Sequence, residues 1–294
     1  MITFTDVTTR ETFSVCFIGN VLLVSYTGSL VEKAIDQEGK PTPWNSRKFR
    51  TVSQTLSSGS MFRFYVLNNR LKDYMKVFFE DGSDLALSFG ESTSFLATDI
   101  DLSDDYIEFS GTLGIHDSIP SYIRALSRIE PGKGRSQSVV SDQAALYLNL
   151  TFSDFSIFLD ELKKQYQTGD SSGFADIEKD LGQIEKLLKV SLNDDFFGWI
   201  GNEITLVKLA PGANSREEDV VAFFHAPDMD KAKNGLDHLC RQIKRRTPVK
   251  FKEYDYKEFH INMLAMKGFF KIFLGKLFEN IEKPYFTYID DYVV

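Results

Sequence analysis

Residues 144–166 read AALYLNLTFSDFSIFLDELKKQY, and this stretch decides the fold. Its first nine residues form an apolar run of strand type that ends at Phe152. Ser153 then supplies a hydroxyl of the kind that caps a helix, and Phe155, Phe158, Leu159, Leu162 and Tyr166 fall on one helical face. A strand thus passes directly into a capped amphipathic helix.

The same local grammar recurs on both sides. Residues 21–26 (VLLVSY) precede Ser29-Leu30-Val31-Glu32, which has the capping-box spacing. Residues 61–67 lead through Asn68 into a stripe of Leu71, Tyr74, Met75 and Phe78. Residues 220–224 lead through Pro227 and Asp228 into Met229, Ala232, Leu236, Leu239, Cys240 and Ile243. Such repetition predicts duplicated strand-helix units. Between them lie hairpins: residues 95–101 and 106–115 flank the polar turn 102–105, and residues 251–254 and 259–264 flank 255–258. A further helix has Phe174, Ile177, Leu181, Ile184 and Leu188 on its dry side. Antiparallel pairing with helical cover predicts an α+β fold, in which antiparallel sheets are covered by amphipathic helices.

At 294 residues the chain is long enough for two cores, and 43% hydrophobic residues with 26 Phe place it in the globular class. The loop at 131–143 is the expected boundary, with one domain over 1–130 and another over 144–294. The net charge of -8 repels phosphate backbones, so nucleic acid is not an expected partner. The basic run Lys244-Arg245-Arg246 sits where a helix should end and complements its dipole. Two cysteines, Cys16 and Cys240, make no disulfide framework. Residues 1–13 have neither a basic flank nor an apolar run, and so read as neither a signal peptide nor an anchor.

The two ends echo each other. Residues 15–23 (VCFIGNVLL) align with residues 286–294 (FTYIDDYVV), an offset of 271 from residue 15 to residue 286. Gly19-Asn20 then falls on Asp290-Asp291. This reading expects a chain cut from a longer repeat array, joining the back of one unit to the front of the next.

Three motifs carry a family resemblance: Phe152-Ser153-Asp154-Phe155; Phe196-Phe197-Gly198-Trp199-Ile200-Gly201-Asn202-Glu203-Ile204; and Lys283-Pro284-Tyr285-Phe286 with Ile289-Asp290-Asp291-Tyr292-Val293-Val294. With them the chain resembles a large family of Bacteroidota envelope proteins, the domain-of-unknown-function family numbered thirty-three fifty-two. The resemblance implies a longer, membrane-anchored parent with a periplasm-facing body and no established activity. Read physically, the Trp199 motif is helix-to-strand punctuation: Asn193 caps a short helix, Gly201 takes a left-handed conformation, and Glu203 opens the strand ITLVKL. The competing reading is a ligand site on Trp199 and Glu203.

Catalytic constellations are missing from the pattern. There is no nucleophile elbow, and His116-Asp117-Ser118 are adjacent in sequence, as a turn would have them. The four histidines have no metal-binding spacing, which leaves only a site assembled across the fold from His225, Asp228 and His260. The acidic stretch 99–105 lacks the glycine and glutamate of a calcium loop and reads as a hairpin tip. Pro131-Gly132-Lys133-Gly134-Arg135-Ser136 fits no phosphate fingerprint and reads as a flexible linker. No enzyme, cofactor or metal is therefore expected.

Residues 264–281 (LAMKGFFKIFLGKLFENI) are apolar on more than one face and too lysine-punctuated to span a bilayer. The segment reads first as a helix buried between sheets or between repeats; the functional reading is a docking surface for a protein partner, a neighbouring repeat or a membrane interface, with Phe269, Phe270, Ile272, Phe273, Leu277 and Phe278 as the candidate interaction surface. The expected function is a non-catalytic cell-envelope scaffold or interaction protein; the alternative is a binding module for a lipid or other apolar ligand.

Overall fold

The computed structural model describes residues 1–71, 90–169, 171–209, 220–248, 253–264 and 284–294. The chain divides into two compact units, Met1–Val66 with Phe95–Gly114, and Leu67–Ser94 with Ile115–Val294. Antiparallel sheets with helices packed on them make the fold α+β.

In the first unit, β1 (Ile2–Thr5), β2 (Thr12–Ile18) and β3 (Val21–Ser25) form a meander in that order. Gly19 turns the β2–β3 hairpin at φ +55°, a backbone region that glycine enters without steric cost. α1 (Gly28–Ile35) lies on one face, with Val31 buried and Gly28 close above Ser14. The predicted capping box at Ser29 is displaced, because only Tyr26 and Thr27 separate β3 from the helix, which starts at Gly28 without a side-chain cap. α2 (Arg47–Ser53) is capped by Ser46 and sets Phe49 5.3 Å from Phe95 and 5.1 Å from Tyr65. A second sheet runs in the order β4 (Phe62–Leu67), β5 (Thr93–Leu102), β6 (Ile107–Ile115). The acidic stretch closes its hairpin as expected, the Ser103 amide donating to the Tyr106 carbonyl at 3.0 Å. The stripe of Tyr74, Met75 and Phe78 lies outside the described residues.

The second unit opens with the short α3 (Tyr122–Leu126). After it come β7 (Ala144–Thr151), α4 (Phe155–Gly169), α5 (Ser171–Leu188) and α6 (Leu192–Asp195). β8 (Glu203–Leu209), β9 (Val220–His225) and α7 (Met229–Arg246) follow. Last come β10 (Glu253–Tyr256), β11 (Phe259–Met263), β12 (Tyr285–Phe286), β13 (Tyr288–Ile289) and β14 (Tyr292–Val293). Five of these strands form one sheet, in the order β13-β14-β9-β8-β7.

Strand alternation gives that sheet two apolar faces. On one, Ile204, Ala222, Phe224 and Val293 meet Phe155, Phe158 and Leu162 of α4 and Leu236, Leu239 and Ile243 of α7. The aromatic stripe predicted for α4 is thus buried, apart from Tyr166. Asp154 rather than Ser153 caps α4, its carboxylate accepting from the Ser156 amide at 2.7 Å, because the helix begins at Phe155 and Asp154 is the residue immediately before it. Asp228 caps α7, and Lys244, Arg245 and Arg246 close its last turn as expected.

Residues 131–143 cover the other face. Val139 and Val140 pack against Val207, Phe223 and Tyr292. A Cβ on Gly132 would overlap the Phe152 carbonyl, and one on Gly134 would overlap the Asn149 amide. The two glycines therefore serve close approach to the sheet, not linker flexibility, and the expected boundary here falls inside the second unit.

The two end hairpins share one geometry. Ile18 pairs with Val21 and Phe17 with Leu22; Ile289 pairs with Tyr292 and Tyr288 with Val293. Gly19 and Asp290, aligned by sequence, take φ +55° and +50°.

Phe152 has no exposed surface and stacks on Phe158 at 4.8 Å between strand and helix. Phe152→Ala is expected to lower the unfolding free energy by about 3–5 kcal/mol in a urea titration, the usual cost of emptying an aromatic core site. A loss under about 1 kcal/mol would contradict this packing.

Candidate functional site

The most concentrated polar chemistry in the described residues surrounds Glu203, 1% exposed at the start of β8. One carboxylate oxygen, Oε1, accepts from the Ser136 hydroxyl at 2.6 Å, the Asn149 amide at 2.9 Å and the Ser136 backbone N–H at 3.0 Å. The other, Oε2, accepts from the Tyr292 hydroxyl at 2.7 Å and the Arg135 backbone N–H at 2.9 Å. Five donors thus converge on one carboxylate from the covering loop, β7 and β14. Burial pushes its pKa up, but the hydrogen bonds from Ser136, Arg135 and Tyr292 outweigh burial and hold it at about 2. Burial first, and then the bond to Glu203, raise the Tyr292 hydroxyl well above the usual phenol range.

A carboxylate this acidic and this fully engaged has no lone pair left for a substrate and too little basicity to take a proton near neutrality. Glu203 is a staple between sheet and loop. The ligand site considered on Trp199 and Glu203 is filled by the protein itself: Trp199 is buried, with its indole N–H on the Asp195 carbonyl at 3.1 Å.

The punctuation reading of this motif holds in outline and fails in two details. Ser191, not Asn193, caps α6, accepting from the Asp194 amide at 3.3 Å. Gly201 is not left-handed; a Cβ there would sit 2.6 Å from His225 Nδ1 and 2.7 Å from Pro227 Cδ. The glycine permits the approach of β9's end. Beside it a cleft of about 530 Å³ is rimmed by Ser153, Asp154, Ser156, Asn202 and His225. The Ser156 hydroxyl and amide hold Asp154 below the usual carboxylate range, and His225 Nδ1 is buried with no hydrogen-bond partner.

The histidines are each engaged separately. His225 Nε2 lies 3.3 Å from Asp291, His238 Nδ1 2.9 Å from Asp195, and His260 Nδ1 2.6 Å from Asp255. Asp228, the third member of the site considered across the fold, is occupied in capping α7. No group of three or more His, Cys, Asp or Glu among the described residues has metal-binding geometry. His116-Asp117-Ser118 forms a turn, with the Ile119 amide on the His116 carbonyl at 3.4 Å. Burial, then Asp237 and Glu253, push the Cys240 thiol up to about 12, which keeps it protonated and unreactive.

The candidate surface of Phe269, Phe270, Ile272, Phe273, Leu277 and Phe278 lies outside the described residues. A different apolar surface is present on the first unit. Opposite α1, the β1–β3 meander presents Ile2, Phe4, Phe17, Leu22, Val24 and Tyr26, all exposed. Sequence reasoning passed over it, although the signal was there: 13, 15, 17 and 22, 24, 26 are apolar on alternate positions. No helix of the described residues is long and apolar enough to cross a membrane. Comparison with protein-family models, curated proteins and solved structures returns no match.

Because the folded pKa of Glu203 lies below its ordinary value of 4.5, the stability it confers is complete above that value and is lost as pH falls toward 2. Unfolding free energies measured from pH 7 to pH 2 should show that fall. Glu203→Gln should flatten it and cost on the order of 3 kcal/mol at pH 7, by orphaning donors. An unchanged acid limb in the Gln variant would remove Glu203 from this role.

Proposed function

We propose that this chain is a non-catalytic scaffold or protein-interaction component of the cell envelope. The observation that carries this reading is the exposed face of the β1–β3 meander, where six large apolar side chains lie together opposite the helix-covered side. Apolar surface gathered in this way on a folded sheet marks a place where something docks. The polar groups support it from the other side: Glu203 is saturated by five donors, and His225, His238 and His260 stand on three different elements, each with its own aspartate rather than in one shared cluster. The envelope location and the longer anchored parent rest on the motifs around Phe152, Trp199 and Tyr292 alone. The clefts at His225 and at Asp99, Asp101 and Glu108 are rimmed with carboxylates and hydroxyls, which gives the lipid-module alternative no particular footing.

A photoreactive phenylalanine analogue placed at Phe17 of the full-length protein tests this. In cells it should give a discrete protein adduct from the membrane fraction, and the same analogue at the exposed Glu38 should not. Recovery in the soluble fraction with no adduct specific to Phe17, or with lipid adducts only, would overturn the reading.

A further inference from the structure

We infer that the open edge of β3 and the apolar face beside it seat the β9–α7 layer of a second copy of this chain, in an exchange where that copy's β9 parts from its own β14 and takes β3 in its place. This rests on the interaction-protein reading above and names the partner.

The argument is a comparison within the molecule. The three-strand arrangement at the start of the chain recurs at its end with the same register. Ile2 pairs with Val15 and Thr3 with Ser14, as Asn262 pairs with Phe286 and Met263 with Tyr285. Phe17 and Ile18 pair with Leu22 and Val21, as Tyr288 and Ile289 pair with Val293 and Tyr292. β1 thus corresponds to β11, β2 to β12 with β13, and β3 to β14.

Their surroundings differ. β14 lies against β9, with Tyr292 opposite His225 and Val293 opposite Phe224. Phe286, Tyr288 and Val293 are packed in the core that Leu236, Leu239 and Ile243 of α7 also build. Among the described residues β3 pairs only with β2. Val21 is 58% exposed where its counterpart Tyr292 is 1%, and Leu22 is 51% where Val293 is 5%. The counterparts of the residues facing α7, namely Val15, Phe17 and Leu22, lie on the apolar face described above.

Chemistry points to the same occupant. Strands β1, β2 and β3 (ITFT, TFSVCFI, VLLVS) carry no charged side chain and no proline. Free sheet edges are normally blunted by one or the other, so an unblunted apolar edge is one built to be paired. β9 (VVAFFH) has no lysine, arginine or carboxylate to desolvate, and Ala232, Leu236, Leu239 and Ile243 of α7 are a matching apolar stripe. The established β14–β9 pairing fixes the geometry: antiparallel, with Val21 opposite the residue equivalent to His225 and Leu22 opposite that equivalent to Phe224.

The hydrogen-bond pattern gives a selective test. Thr287 and Val294 exchange both backbone bonds at 2.9 Å, so the amide of Val293 points away from β13, toward β9. By the same register the amide of Leu22 points to the open edge. Val293→Pro should free β9 without breaking the β13–β14 hairpin, and Leu22→Pro should block β3 without breaking β2–β3. In sedimentation velocity, the full-length Val293→Pro chain should associate head to tail, while the Leu22→Pro/Val293→Pro chain should need about tenfold higher concentration or stay monomeric. A monomeric Val293→Pro chain, or association indifferent to Leu22→Pro, would overturn the inference. Should proline unfold the second unit, disulfide trapping decides. With Cys16 and Cys240 replaced by serine, a Val21→Cys chain mixed with a chain carrying His225→Cys and Val293→Gly, the glycine loosening β14 from β9, should cross-link. Val221→Cys in place of His225→Cys, four residues out of register, should not; equal yields would sink the proposal. If these assays fail while Phe17 still cross-links a protein in cells, the interaction reading survives and only the named partner falls.

Discussion

The second unit depends on one ionised carboxylate. Glu203 gathers donors from the loop at Arg135 and Ser136, from Asn149 on β7 and from Tyr292 on β14. Residues far apart in sequence are thereby tied across one face of the five-stranded sheet. A buried charge is tolerable only when its lone pairs are filled, and filling them is what fixes the loop in place. The loop then needs glycine at 132 and 134, because its backbone runs where a Cβ would strike Phe152 or Asn149. The charge, the glycines and the buried Ser136 are one device, and the apolar contact of Val139 and Val140 completes it.

This device shows why the sequence was legible in some places and not in others. Periodicity reports which side chains face a core, so the stripes of α4 and α7 and the hairpin at residues 99–105 could be read directly. It does not report long-range polar contacts. Residues 131–143 have the composition of a linker, and only Glu203, distant in sequence, turns them into a fixed cover. Gly201 misled for the same reason: a glycine after a short helix reads as a left-handed stop, whereas here it makes room for His225 and Pro227. Helix starts shifted by a residue or so where two capping residues stand side by side, as Ser153 and Asp154 do before Phe155.

The site was less legible than the fold. Each histidine looks available in the sequence, yet every one of His225, His238 and His260 has an aspartate within 3.3 Å in the folded chain. Those pairs lie on different elements and do not converge. The apolar face of the meander was legible and was outweighed by the richer apolar composition of residues 264–281. Composition draws attention to where apolar residues are densest; exposure depends on which of them the fold leaves uncovered.

The two end hairpins separate those two quantities. Both have a two-residue turn with a left-handed first position, filled once by glycine and once by aspartate, and both pair in one register. Local sequence is therefore enough to specify the hairpin. It is not enough to bury it: Val293 is covered because β9 and α7 stand beside it, and Leu22 is uncovered because nothing comparable among the described residues does. Hairpin formation is a property of the strand pair, while burial is a property of the layer against which the pair is set. A chain that carries the same hairpin in both situations holds one seat filled and one open.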